Sequence, residues 1–118
     1  MRTVDVYECL ELLVSYCDLI QERIKRYNMT AQNVAENADY LDLLLMPIFQ
    51  IGELVGSASY YEALQELHPC EIWHQANGMR NRIAHAYSKV NPKIVWETAI
   101  QSIPQLHTLC TTLLQQRP

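Results

Sequence analysis

Apolar residues recur along the first part of the chain at alternating intervals of four and three. Val6, Leu10, Leu13, Cys17, Ile20, Ile24 and Tyr27 form one stripe on a 3.6-residue period, with Glu8, Glu11, Asp18, Glu22 and Arg26 outside it. The spacing predicts an amphipathic helix over residues 4–27, whose apolar face needs partner helices to cover it. Asn28-Met29-Thr30 interrupts the pattern, and Thr30 suits the N-cap of a short helix ending near Glu36. Asn37 or Asp39 then caps a second long helix with the stripe Leu41, Leu44, Ile48, Ile51, Val55 and Ala58, running on through Leu64 and Leu67 to His68-Pro69. Pro47 lies inside this pattern, removes one backbone donor and predicts a kink.

A third long helix starts at Cys70 or Glu71, carries Ile72, Ala76, Met79, Ile83 and Ala86 on one arc, and ends within residues 85–88. After a loop, Asn91 and Pro92 suit the N-cap and first turn of a last helix with Ile94, Val95, Thr98, Ile103, Leu106, Leu109, Cys110 and Leu113. Pro104 is expected to bend it. Four main helices plus one short extra helix, joined by short connections, predict an all-α antiparallel up-down bundle in a single domain over residues 1–118.

A chain of 118 residues, 49% of them hydrophobic, fits one globular domain. None of Cys9, Cys17, Cys70 and Cys110 forms a Cys-x-x-Cys pair, and no apolar run follows a basic start. Reduced, mostly buried thiols and a cytoplasmic location are expected. The longest apolar run is too short to span a bilayer, so no membrane partner is expected. The formal charge of −4 speaks against nucleic acid, but its distribution changes that picture. Residues 72–96 hold Arg80, Arg82, Lys89 and Lys93 and no acid, so this window carries +4 and the remainder −8. Local potential is what attracts a phosphate, although a solvated basic face gives the same composition.

That window contains Gly78-Met79-Arg80-Asn81-Arg82-Ile83-Ala84-His85-Ala86-Tyr87. On a helix Arg80, Ala84 and Tyr87 share one stripe, and Asn81 and His85 share another. A guanidinium grips phosphate through a planar fork of donors, and a histidine exchanges protons near neutral pH. Together they form a minimal kit for phosphodiester chemistry. An Arg and a His near a helix end also occur as a capping or surface pair, so residue type alone leaves both readings open.

Arg80, His85 and Tyr87 in this spacing resemble the Arg-x4-His-x-Tyr motif of the HEPN superfamily, and the surrounding residues resemble its HepT branch. Ile51-Gly52-Glu53 is similar to the family's Ile-Gly-Glu on the central helix. His68-Pro69 with Trp73 is similar to its entry to the motif helix. Ile94-Val95-Trp96-Glu97 followed by Ile103-Pro104-Gln105-Leu106 is similar to its ending. The resemblance implies a HEPN fold and the toxin of a type VII-like toxin–antitoxin system, acting as an endoribonuclease without metal or other cofactor. It implies a homodimer with a composite site, in which Arg80 binds the scissile phosphate and His85 is the general acid/base. Asn81 and Tyr87 would support the site, while Arg82 and Lys89 are further candidates for RNA contact. The implied partner is a minimal nucleotidyltransferase antitoxin of the MntA type, which would neutralise the toxin by AMPylation of Tyr87. A second reading keeps the fold as a non-catalytic nucleotide- or RNA-binding partner of such a transferase.

Other residues draw blander readings. His68, Cys70 and His74 lack a fourth ligand and a recognised zinc spacing, so no metal site is expected. His107 with Cys110, and Glu8 with Glu11, fit packing and a solvated face. Gly52 fits a close helix–helix contact rather than a phosphate loop, and Trp73 and Trp96 fit a core or dimer interface. Glu53 reads equally as reaching the site or capping a packing contact.

Overall fold

The computed structural model describes residues 4–118, and all secondary structure among them is helical. Helix α1 (Val6–Arg26) starts where the Asp5 carboxylate accepts from the backbone N–H of Tyr7 and Glu8. Cys9, Leu10, Leu13, Cys17 and Ile20 are its buried positions, on and beside the predicted stripe. Its end has a definite cause. Asn28 adopts φ 49°, the Met29 N–H reaches back to the Ile24 carbonyl, and the Asn28 N–H to that of Lys25. This is a Schellman closure, with asparagine in the left-handed position usually given to glycine.

Thr30 and Asn33 form a reciprocal capping box on the short helix α2 (Ala31–Glu36). Asn37 caps α3 (Ala38–Gly56), which runs uninterrupted through Pro47. The sequence pattern predicted one second helix to Leu67, kinked at Pro47. Instead the chain turns by 77° after Gly56, into α4 (Ala58–Leu67). The cause is a stop at Gly56-Ser57: glycine is a weak helix former, and Ser57 Oγ accepts from the Tyr60 N–H to start the new helix. The apolar pattern carries on across the turn because both helices cover the same core.

Helix α5 (Glu71–Ala86) carries the motif and passes into a 3₁₀ turn at Tyr87–Lys89. Asn91 caps α6 (Pro92–Glu97), with Pro92 in its first turn as expected. A π turn over Thr98–Ser102, in which the Ile103 N–H donates to Thr98, leads into α7 (Ile103–Gln115). Pro104 cannot donate a backbone hydrogen bond, and the register shift to π geometry occurs just ahead of it. Helices α1, α3 and α7 pack together over a core containing Leu13, Leu44, Ile51 and Cys110, and α5 lies along the other side of α3. Trp73 is fully buried, and its Nε1 donates to the His68 carbonyl at 2.8 Å, so it belongs to the core. No single helix among the described residues is long and apolar enough to cross a membrane.

Candidate active site

Two glycines on α3 set the distance between that helix and α5. A Cβ placed on Gly52 would lie 2.2 Å from Arg80 Cβ and 2.8 Å from the Ala76 carbonyl oxygen, and one on Gly56 would lie 2.0 Å from Asn77 Oδ1. The expected close contact at Gly52 is thus present, and it is the stem of Arg80 that fills the space. Gly56 meets Asn77, Gly52 meets Arg80, and Asp42 meets Tyr87, so the two helices run antiparallel.

The guanidinium of Arg80 is fixed from several sides. Its Nε donates to Glu53 Oε1, and Nη1 donates to Asn81 Oδ1 at 3.1 Å. Its Cζ lies 5.3 Å from the centre of the Phe49 ring, within cation–π range. Glu53 therefore reaches the site, which resolves its two readings. Two of the five N–H donors of the guanidinium are engaged, and the remainder stay available to an anion because the side chain is a third exposed.

Seven residues along from Arg80, Tyr87 lies on the same side of the motif and is 55% exposed. Its hydroxyl donates to Asp42 Oδ1 at 2.6 Å. That bond, with a smaller effect of desolvation and of the carboxylate charge, raises the phenol above its ordinary value. Asp42 was not among the residues singled out in the sequence. Its signal was available: Asp42, Phe49 and Glu53 stand seven and eleven residues apart, the spacing of one helix face. His85 is exposed, and among the described residues it has no hydrogen-bond or ion-pair partner. The structure thus gathers Arg80, Asn81, Glu53, Tyr87 and Asp42 into contacts along the α3–α5 seam and leaves His85 free one turn beyond Asn81.

Arg82 falls elsewhere. Two residues from Arg80 is 200° around the helix, and Arg82 lines a cavity of about 370 Å³ between α5 and the last helices, with Ile48, Met79, Ile94 and Leu106. Lys89 is exposed on the 3₁₀ turn. Among the described residues no three His, Cys, Asp or Glu side chains come together as a cation would require. His107 instead contacts Asp18 Oδ1 through Nε2 at 2.9 Å, Glu11 faces Arg117 at 3.6 Å, and Glu8 is solvent-exposed.

A helical bundle with Arg-x4-His-x-Tyr at the end of one helix, packed on an acid-bearing Ile-Gly-Glu helix, defines a HEPN-type domain. Comparison with known proteins makes this specific: the family described as "Ribonuclease HepT-like" matches residues 13–113, and the chain belongs to that family. It is 28% identical over 116 residues, 98% of both chains, to a protein of Caldanaerobacter subterraneus subsp. tengcongensis whose RNase name is itself inferred. It is 34% identical over 56 residues, 46% of this chain and 51% of the other, to a Thermococcus cleftensis protein with an inferred ribonuclease HepT name. No solved structure gives a significant match.

Proposed function

We propose that this chain is the toxin of a HEPN-type toxin–antitoxin pair and a metal-independent endoribonuclease, with Arg80 and His85 as its reacting groups. The observation that carries this reading is the fixed guanidinium of Arg80, held by Glu53, Asn81 and Phe49, with an unengaged histidine beyond it on the same helix. The free N–H groups of Arg80 would bind the scissile phosphate and stabilise the charge that grows on it. His85 would take the proton of a ribose 2′-OH. The 2′-oxygen then bonds to phosphorus, the bond to the 5′-oxygen breaks, and that oxygen needs a proton from a second donor. Each chain offers one such histidine in the motif, so a homodimer that brings two motifs together completes the acid–base pair. Exposed Met46, a helical turn from both Asp42 and Phe49 on α3, supplies apolar surface beside the site for such a contact.

On the same reading, the exposed Tyr87 is the regulated residue. A minimal nucleotidyltransferase antitoxin would transfer AMP to its hydroxyl and set a bulky negative charge where RNA must sit. The protein would act in the cytoplasm. A second reading has a specific observation in its favour. His85 lacks a partner to orient it and Glu53 offsets the charge of Arg80, as suits a subunit that binds nucleotide or RNA without cutting it.

The separating measurement is cleavage of labelled RNA by the purified, mass-checked protein in excess EDTA, with His85→Ala alongside. The parent is expected to leave 2′,3′-cyclic phosphate ends, and the variant to lose at least roughly 100-fold in rate, the usual contribution of a positioned acid or base. RNA that is bound but uncut by unmodified parent supports the second reading, and equal cleavage by the variant removes His85 from the chemistry.

A further inference from the structure

A tyrosine that accepts a nucleotidyl group needs more than exposure. Its phenol must lose a proton as the oxygen bonds to phosphorus, and near neutral pH a phenol gives that proton up only to a base in contact with it. Tyr87 has such a base. Asp42, on α3 and 45 residues away in sequence, accepts the Tyr87 hydroxyl hydrogen at 2.6 Å. The tyrosine is 55% exposed while this bond is made, so the phenol oxygen is held on one side and open on the other. The bond also bridges two elements. It ties the 3₁₀ turn that follows the motif helix to α3, and so sets where the phenol points.

We infer that Asp42 is the general base for nucleotidyl transfer to Tyr87, so that the acceptor protein supplies the base itself. This rests on the reading of Tyr87 as the modified residue. The reaction partners are a nucleoside triphosphate with its divalent cation, held by a nucleotidyltransferase. The Tyr87 oxygen attacks the α-phosphorus and the new phosphorus–oxygen bond forms. The bond from that phosphorus to the bridging oxygen of the leaving pyrophosphate breaks, and the phenol proton passes to Asp42 Oδ1. A carboxylate that orients a hydroxyl and takes its proton has the same part in protein kinases. The Arg80–Glu53 pair has no role in this step. Asp42 and Glu53 share a face of α3 but hold opposite ends of the motif, Tyr87 and Arg80 respectively.

The test is transfer of α-labelled AMP from ATP and Mg²⁺ to the full chain by a purified minimal nucleotidyltransferase of the proposed antitoxin class. Parent, Asp42→Asn, Asp42→Glu and Tyr87→Phe are compared, and the labelled residue is identified by mass spectrometry. The expected result is label on Tyr87 of the parent and none there in Tyr87→Phe. Asp42→Asn is expected to slow transfer about 100-fold, and Asp42→Glu to restore at least a tenth of the parent rate. Unchanged helical circular dichroism in Asp42→Asn shows that the loss is not unfolding. Equal rates for parent and Asp42→Asn, or a glutamate variant as slow as the asparagine one, overturn the assignment of Asp42 alone. Absence of label on the parent, or equal label on Tyr87→Phe, overturns the modification of Tyr87 and the role of Asp42 with it.

Discussion

The state of Tyr87 is set by one hydrogen bond. A phenol that donates to a carboxylate is stabilised as the phenol, since a phenolate has no hydrogen to donate and would face a like charge; its pKa therefore rises. The stabilising effect of this contact is fully present below the ordinary phenol value near 10, and it fades as pH climbs through the higher value of Tyr87 itself. With ring-labelled tyrosine, NMR is expected to show Tyr87 titrating above its ordinary value of 10.0 in the parent and close to it in Asp42→Asn. Coincident titrations would mean that the bond is absent in solution. At this scale the sequence disclosed the motif residues but not what holds them. Arg80, Asn81, His85 and Tyr87 were legible because they lie within eight consecutive positions of the chain. Glu53 and Asp42 contact them from 27 and 45 residues away, and local spacing carries no record of such pairs. Glu53 was flagged through Ile51-Gly52-Glu53 with its role left open, and only the shared face of α3 hinted at Asp42.

At the scale of the helix, Pro47 is the case where a correct local rule gave an incomplete forecast. Proline does remove a donor, and the carbonyl it orphans is that of Leu43, four residues earlier. That carbonyl is not left bare: Arg23 reaches across from α1, and its Nη1 donates to Leu43 O at 2.7 Å. The helix therefore continues through Pro47, where a kink was expected, and the break that was not foreseen falls at Gly56-Ser57, where a serine cap competes with the helix. A thermodynamic cycle tests the compensation. Arg23→Met is expected to cost about 1–3 kcal/mol in chemical denaturation, as for a lost charge-assisted bond to a part-buried group. In a Pro47→Ala background the new N–H of residue 47 can serve Leu43 O, and the cost of Arg23→Met should fall by roughly 1 kcal/mol. An equal cost in both backgrounds would show that Arg23 contributes through packing alone.

At the scale of the whole molecule, the interhelical core was legible because 3.6-residue stripes name the faces that must meet. How closely the faces approach was not, since that depends on which small residues oppose which stems, as at Gly52 and Arg80. The cysteines join the two levels. Expected as buried thiols, three of the four are fully so: Cys9 and Cys17 on α1 and Cys110 on α7 have no exposed surface, while Cys70 ahead of α5 is half-buried. Burial pushes Cys9 and Cys17 up from 9.0 to about 12, and raises Cys110 as well, because a thiolate in this core would lose its hydration. A group raised on folding stabilises the native state fully below its unfolded value, and that contribution drains away as pH rises towards the folded one. Stability should therefore decline from about pH 9 upward, in the range where unfolded thiols ionise and folded ones do not. Near pH 8 a disulfide reagent that attacks thiolates should label Cys70 first, and the other three only as fast as the bundle opens. Mass-resolved labelling against denaturant checks this: Cys9, Cys17 and Cys110 are expected to react together, with a common dependence on denaturant. Labelling of Cys110 ahead of the α1 pair would mean that α7 detaches before the bundle unfolds, and that the packing of α7 on α1 is a separable unit rather than part of one cooperative core.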